Sequence, residues 1–270
     1  MKKIKFIAVL ILITALLFAT ACGSNNDNKP ADSDPQNGNQ QTVDEHYADE
    51  DFIKDFVSAL CARWDYKSDY QYESGTQDHF NYFTELVQIE RDYLAKYRTE
   101  TFKNPALGKL ANDYLDGLDQ QDKSLSYLIG SYDTYRSLWS EARDKRAICI
   151  KTIYDEISGF EVPAKYDDIL HHMLTAANVS LNSDAVSKML NAPIASGDYK
   201  LDKSSLTVSV TNTVGFEFRD FVIYSDLYNG SNYVYYGDVR IDSWKPGDVY
   251  EFVFNLDPNV KFDRIEITTE

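Results

Sequence analysis

Apolar residues recur at helical spacing from residue 52 to residue 190. Phe52, Phe56 and Leu60 share one face of a predicted helix, and Lys54 and Asp55 lie on the opposite face. Similar stripes predict helices over residues 76–97, 105–129, 133–157 and 163–177, and a shorter one over residues 186–190. Because the connections between these amphipathic segments are short, we expect an antiparallel helical bundle over residues 47–195.

Local signals predict where individual helices begin and end. Asn104 and Pro105 have the residue types preferred at an N-cap and at the first helical position. Gly159 is a typical residue just after a helix C-terminus, so we expect the fourth helix to end there. Pro193 disfavours helix continuation, and the last helix should therefore end before it.

After residue 195 the apolar period changes to two. Leu206, Val208 and Val210 alternate with polar residues, as in a half-buried strand. The same alternation predicts strands over residues 221–228, 233–241, 250–256 and 262–267. Turns are predicted at Asn229 and Gly230, and in the Trp-Lys-Pro-Gly run of residues 244–247, whose Pro246 and Gly247 suit the central places of a type II turn. The pattern predicts a small antiparallel β-sandwich over residues 196–270, so the fold class is α+β, a bundle followed by a sandwich.

The N-terminus has the pattern of a secretory signal peptide over residues 1–21. Three lysines precede the uncharged apolar run of residues 6–19, which is shorter than the roughly 20 residues that a membrane-spanning helix needs. Small residues then lead directly to Cys22. This arrangement resembles the lipobox of bacterial lipoproteins, which implies cleavage before Cys22 and its lipidation. The alternative is an ordinary cleaved signal that leaves Cys22 as a free thiol.

The residues after Cys22 predict a tether. Residues 23–41 contain no aromatic and no branched aliphatic residue, so they cannot bury enough apolar surface to offset the entropy of ordering. We therefore expect residues 22–46 to be a lipidated cysteine followed by a disordered tether. The predicted location is the extracellular face of the cell membrane, with the N-terminal lipid as the attachment.

Charge then excludes one class of partner. The chain has 27 Lys and Arg against 43 Asp and Glu, and loss of the three lysines in residues 1–21 leaves 24 against 43, a net charge of −19. A surface this acidic repels nucleic acid and anionic lipid. We therefore expect no nucleic-acid partner, and we expect membrane attachment to come from the lipid.

Cys61 and Cys149 are the other two cysteines, and each lies on an apolar helical face. Free cysteine is often buried as a small apolar residue, which is one interpretation of both. A disulfide between them is the other interpretation, because an extracytoplasmic compartment is oxidising.

The strand-rich segment contains motifs of a known family. These are residues 210–213 (VTNT), residues 221–224 (FVIY) and residues 244–248 (WKPGD), with Ser225 where an aspartate is expected and Asp226 after it. The segment resembles the FxLYD-type and related small sandwiches at the ends of Gram-positive surface lipoproteins. The helical half, with residues 60–64 (LCARW), is similar to a group of such lipoproteins without an assigned activity. The resemblance implies an architecture and a location, and it brings no catalytic residue with it.

Metal sites and common catalytic motifs are not apparent in the sequence. It lacks GxSxG, HExxH, GxGxxG, CxxC and P-loop patterns. His171 and His172 are adjacent and would point about 100° apart on a helix, so they cannot grip one metal as an i, i+4 pair does. A row of acids lies along one side of the third predicted helix, and we expect a solvated acidic face there rather than a Ca²⁺ site: Asp113, Asp116, Asp119 and Asp122.

The candidate binding residues are tyrosines. Tyr228, Tyr233, Tyr235 and Tyr236 crowd one predicted hairpin whose tip, residues 229–232, is Asn, Gly, Ser and Asn. Tyrosine with Ser, Asn and Gly is the composition of adaptable binding loops, and aromatic faces stack on sugar rings. The alternative is that tyrosine is frequent here because it suits a half-buried strand.

These observations favour a non-catalytic binding module of the cell envelope. Its ligand would be a partner protein or a wall glycan, held by the aromatic hairpin or at the junction of the two halves. The alternative is an envelope hydrolase whose two carboxylates are far apart in sequence. We expect no cofactor and no metal.

Overall fold

The structure is a computed structural model that describes residues 46–66 and 72–269. The predicted signal peptide, Cys22 and the tether up to residue 45 lie outside the described residues. The described part belongs to one compact unit that spans residues 45–270. No helix within it combines the length and the apolar character needed to cross a membrane.

Within the described residues, six α-helices form the first part of the unit. They are α1 (Asp49–Asp65), α2 (Gln77–Leu94), α3 (Pro105–Leu125), α4 (Tyr132–Glu156), α5 (Asp167–Leu181) and α6 (Ser183–Ser196), with 3-10 turns at Ala95–Arg98 and Ala164–Tyr166. The predicted start of α3 is confirmed, because the Asn104 side chain accepts hydrogen bonds from the backbone N–H groups of Ala106 and Leu107.

The predicted ends of two helices are wrong. Helix α4 ends at Glu156 because Ile157 is already extended, and Gly159, with φ of +86°, lies in the turn that follows. Helix α6 continues through Pro193 to Ser196, since Ile194 still packs against the core. Gly197 ends α6 with φ of +80°, and the N–H of Asp198 donates to the Pro193 carbonyl at 2.8 Å.

The third predicted helix is also shorter than expected. Helix α3 ends at Leu125, and residues 126–130 form a turn. Leu128 is buried there beside Leu125 and Tyr135, whereas Ile129 is exposed. Hydrophobic periodicity could not show that the helix ends before Leu128, because a turn residue that packs on the core continues the apolar stripe of the helix.

In the part of the chain that the structure describes, six antiparallel strands form two three-stranded sheets. The strands are β1 (Tyr199–Leu201), β2 (Ser205–Thr211), β3 (Phe218–Asn229), β4 (Asn232–Trp244), β5 (Val249–Asn255) and β6 (Arg264–Thr269). Their order is β1-β2-β5 in one sheet and β4-β3-β6 in the other. Both predicted turns are present, with Gly230 at φ of +62° and Gly247 at φ of +87°, where a side chain would be strained. The α+β fold class is confirmed.

The helix-to-strand change near residue 196 does not divide the core. Buried residues of both sheets pack in one cluster with α5 and α6, represented by Ala177, Phe221 and Phe252. Helix α5 also bonds to β3 directly, since Thr175 Oγ1 accepts from the N–H of Arg219 at 3.2 Å. The sheets therefore contribute to the burial of the last two helices.

The bundle contains a buried charged cluster that the sequence analysis did not identify. Arg146 donates to both carboxylate oxygens of Glu90 at 2.5 Å, and the Tyr114 hydroxyl donates to the same carboxylate at 2.9 Å. Arg146 also donates to the Gln121 side chain at 2.9 Å, and Arg63 donates to Glu90 at 3.3 Å. Such a cluster ties α1, α2, α3 and α4 together in one register, since separating its members would leave charges buried and unpaired.

Candidate functional site

The hairpin tyrosines fall on two faces of the β4-β3-β6 sheet. Tyr235 pairs with Leu227, which is buried, so Tyr235 packs towards the core. Tyr236 is on the outer face and is 51% exposed. The four candidates therefore do not form one surface.

An irregularity in the hairpin brings Tyr233 onto the face of Tyr236. Strict alternation would place residues 233 and 236 on opposite faces. The register shifts between Leu227 and Tyr228, so that Tyr228 pairs with Tyr233 instead of Val234. Both Tyr233, which is 53% exposed, and Tyr236 consequently line one pocket.

This pocket, called the junction pocket below, lies between the start of α4 and the outer face of the β4-β3-β6 sheet. Its volume is about 530 Å³. Its described lining residues are Tyr132, Arg136, Tyr224, Asp226, Tyr233, Tyr236, Thr268 and Thr269. Of the four predicted tyrosines it contains Tyr233 and Tyr236, and it adds two tyrosines that the sequence analysis did not single out.

Simple spacing places the side chains of each wall. Tyr132 and Arg136 are four residues apart on α4 and share one helical face. Tyr224 and Asp226 are two residues apart on β3 and face outwards together. From β6, Thr268 donates its hydroxyl hydrogen bond to the Asp226 carboxylate at 2.7 Å.

Aromatic contacts hold the two walls. Tyr224 and Tyr236 meet edge to face with ring centroids 6.0 Å apart. Tyr132 contacts His79 and Tyr135, at 6.1 Å and 5.6 Å between centroids, in an aromatic cluster of the bundle. The helical wall is thus attached to the core of the bundle.

Tyr228 lies on the outer face beside the pocket and is not among its described lining residues. Its ring contacts Tyr233 edge to face at 5.8 Å, and the Arg264 guanidinium lies over it at 3.9 Å from the centroid. The face of the Tyr228 ring is thus already covered by the Arg264 cation. We therefore assign Tyr228 a supporting position behind Tyr233.

The pocket presents both charges and neutral hydroxyls. Burial, the carboxylate of Asp226 and the neighbouring Tyr236 raise the pKa of Tyr233, and the charge of Arg136 acts in the opposite direction. Tyr233 is therefore a neutral hydroxyl at physiological pH, able to donate and to accept a hydrogen bond.

The acidic row of α3 is paired with arginines. Arg98 bonds to Asp116 and Asp119, and Arg91 bonds to Asp119 and Asp122, at 2.5 to 2.9 Å. The expected solvated face is thus a partly exposed ladder of ion pairs between α3 and the preceding helical segment. Asp113, the fourth member of the row, pairs with a lysine one turn away on α3.

The remaining candidate groups have structural contacts. His172 Nδ1 lies 2.6 Å from the Asp220 carbonyl. Cys61 and Cys149 are both free thiols, and burial raises the pKa of Cys149 to about 11. Within residues 46–66 and 72–269, no group of three His, Cys, Asp or Glu residues could hold a metal ion.

A second concavity of about 640 Å³ lies between α1, the start of α3 and the segment after α4. Its walls include the aliphatic side chains of Ile53, Val57 and Leu107, and its acidic groups include Glu50. It is the larger cavity, but its described lining contains no aromatic side chain. The junction pocket, with aromatic rings and convergent polar groups, is the better candidate for specific recognition.

Comparison with known proteins adds no assignment. No family model, no curated protein and no solved structure matches the chain. The resemblance to FxLYD-type lipoproteins therefore stays a prediction from the sequence.

Proposed function

We propose that this chain is a lipid-anchored, extracytoplasmic binding protein that holds an envelope glycan in the junction pocket and does no chemistry on it. The observation that carries the proposal is the lining of that pocket, four tyrosines with an arginine, an aspartate and two threonines. Lipidation at Cys22 and the outer face of the membrane are proposed from the N-terminal sequence.

The chemistry of the lining supports a sugar ligand. A sugar ring has apolar C–H faces and a rim of hydroxyls, and tyrosine offers a ring face together with a polar end. The hydroxyl groups around a sugar ring also need hydrogen-bond donors and acceptors. Arg136, Asp226 and the two threonines supply them. A volume of about 530 Å³ lies within the range of small-ligand sites and can hold one or two sugar rings.

A hydrolase is the alternative function, and it requires a pair of carboxylates facing the scissile bond. Among the described residues that line the pocket, Asp226 supplies the one carboxylate, and it already accepts a hydrogen bond from Thr268. Binding needs no second acid, so this lining favours the binding function.

The proposal can be tested by co-sedimentation with purified cell-wall sacculi. The full exported chain, extracted in mild detergent, is compared with its Tyr233→Ala and Tyr236→Ala variants. Both side chains are half exposed, so their removal should leave the thermal unfolding midpoint nearly unchanged. We expect each variant to lose most of the pelleting, because one aromatic contact contributes a large share of a small interface.

Tyr154→Ala is the matched control, since Tyr154 is 45% exposed and lies outside the described lining of the pocket. It should pellet like the unaltered chain. Equal pelleting of all four proteins, or unfolding of both pocket variants, would contradict the proposal. Release of soluble sugar fragments by the unaltered chain but not by Asp226→Asn would favour the hydrolase.

The anchor is tested separately with Cys22→Ala. We expect this variant to lose incorporation of labelled palmitate and to appear in the culture medium. Retention of the label would show that Cys22 is not the lipidated residue.

A further inference from the structure

Arg136 differs from the other arginines of this chain. The sequence has nine arginines, and the structure describes all of them. Each of the other eight has a guanidinium nitrogen within 3.6 Å of a carboxylate oxygen. Arg136 has no hydrogen bond or ion pair in the described part of the chain, although the protein carries a large excess of acids.

Arg136, the arginine without a carboxylate partner, lies in the junction pocket, where a ligand can contact it. Its side chain is exposed and lines the junction pocket together with Tyr233. Tyr132, one turn earlier on the same face of α4, is held by the aromatic cluster of the bundle. The guanidinium therefore presents its five N–H donors at the helical wall of the pocket.

The opposite wall is rich in acceptors. Asp226 offers two carboxylate oxygens, and the hydroxyl of Thr268 uses one hydrogen-bonding position on them. Ligand hydroxyls can donate to the remaining positions. A ligand that fits both walls has an anionic group at one end and hydroxyls at the other.

We infer that the ligand of the junction pocket is an acidic sugar, whose carboxylate pairs with Arg136 while its hydroxyls donate to Asp226. This inference rests on the proposed function. The planar guanidinium fork matches a carboxylate, and such bidentate pairs are stronger than neutral hydrogen bonds. A doubly charged phosphate fits less well, since Arg136 is the one cation in the described lining and Asp226 would repel the second charge.

The test compares native sacculi with sacculi whose carboxylates have been reduced to alcohols. The full exported chain should bind the reduced material about ten- to a hundredfold more weakly, which is the scale of one charge-assisted pair. Arg136→Gln should bind native sacculi with the same loss and should show no further loss on the reduced material. Arg136→Lys should be intermediate, because it keeps the charge without the fork.

Arg240→Gln is the control, since it makes the same charge change at an exposed arginine of β4, in the sheet that forms the opposite wall, outside the described lining of the pocket. It should retain the preference for native sacculi. Peptide-free glycan strands, used as a competitor, distinguish the sources of the carboxylate. Competition by these strands supports a carboxylate on the sugar, and failure to compete assigns it to a wall peptide and overturns the inference.

Different results would overturn the acidic-sugar inference and the proposed function. Equal binding of the unaltered chain to native and reduced sacculi, with loss in Tyr233→Ala, would overturn the acidic-sugar inference and leave glycan binding in place. Binding that is insensitive to Tyr233→Ala on both materials would overturn the proposed function, and the inference with it.

Discussion

Gly117 allows the buried arginine of the bundle to reach its partners. A Cβ atom built on Gly117 would lie 2.6 Å from Cγ of Arg146, a separation that real Cβ atoms do not show, and 3.4 Å from the carbonyl of Ala142. Cγ is close to the backbone of α4, so it cannot move away without displacing the whole Arg146 side chain. We therefore expect Gly117→Ala to break the pairing of Arg146 with Glu90.

The magnitude follows from two opposing effects. Alanine in place of glycine in a helix interior stabilises the helix by about 1 kcal/mol. Breaking a buried ion pair destabilises the fold by about 3–5 kcal/mol, because the charges are left uncompensated. The free energy of unfolding should thus fall by about 2–4 kcal/mol, which lowers the melting temperature of a body of this size by roughly 5–15 °C.

The assay is urea unfolding followed by circular dichroism, together with a thermal scan. Gly215→Ala is the control, since no atom lies within 4 Å of its added Cβ, and its effect should stay within about 0.5 kcal/mol. In an Arg146→Ala background, which removes Cγ, Gly117→Ala should cost nothing further, so the two changes should be strongly non-additive. An unchanged or raised stability of the single variant would refute the reasoning.

Three further predictions concern the edge of a sheet, a buried histidine and the thiols. The Asn191 side chain bonds to both the N–H and the carbonyl of Ile267 at 2.8 Å. Asn191→Ala should therefore lower the free energy of unfolding, measured by urea titration, by about 1–3 kcal/mol. A loss below about 0.3 kcal/mol would show that these two bonds do not stabilise the edge of the sheet. Burial lowers the pKa of His79 below 6.5. The neutral, buried histidine should therefore contribute its whole stabilisation above pH 6.5, and the free energy of unfolding should fall as pH drops towards the folded pKa. His79→Phe should flatten this dependence of the free energy of unfolding on pH between pH 7.5 and 5. Cys149 should react with a maleimide much more slowly than Cys61 in the native chain, because its thiol is buried. Equal reaction rates would contradict the burial of Cys149. Resistance of both cysteines until a reductant is added would contradict their being free thiols.

Local patterns were sufficient to predict the described helices and five of the six described strands, but not β1, whose three residues are all exposed and too few to show an alternation. Amphipathic periodicity located the helices and the alternation of residues 205–211 located a strand, because each pattern depends on which face of one element is buried. The turns at Gly230 and Gly247 could also be predicted from local sequence, since few residues other than glycine tolerate positive φ. The ends of α4 and α6 were misplaced by a few residues, because Gly159 and Pro193 signal that a helix ends nearby without fixing its last turn.

The buried cluster shows why some interactions could not be predicted. Glu90 and Arg146 are charged residues on two different helices, and in the sequence each is compatible with a solvated helix face, whereas Tyr114 belongs to the apolar stripe of α3. Burial of Glu90 and Arg146 beside Tyr114 depends on the register of the helices relative to one another. That register is a property of the packed bundle, because no single helix specifies which residue it meets.

The sequence by itself determined the crowding of tyrosines in the β3–β4 hairpin, but only the tertiary structure decided which of them share a surface. A register shift next to Tyr228 turns Tyr233 to the side of Tyr236, and a one-residue shift reverses the facing of every residue beyond it. Arg136 reaches the same pocket from a helix about ninety positions earlier in the chain. Spacing governs neighbours within one element, whereas the junction pocket depends on how a helix and a sheet pack on a common core.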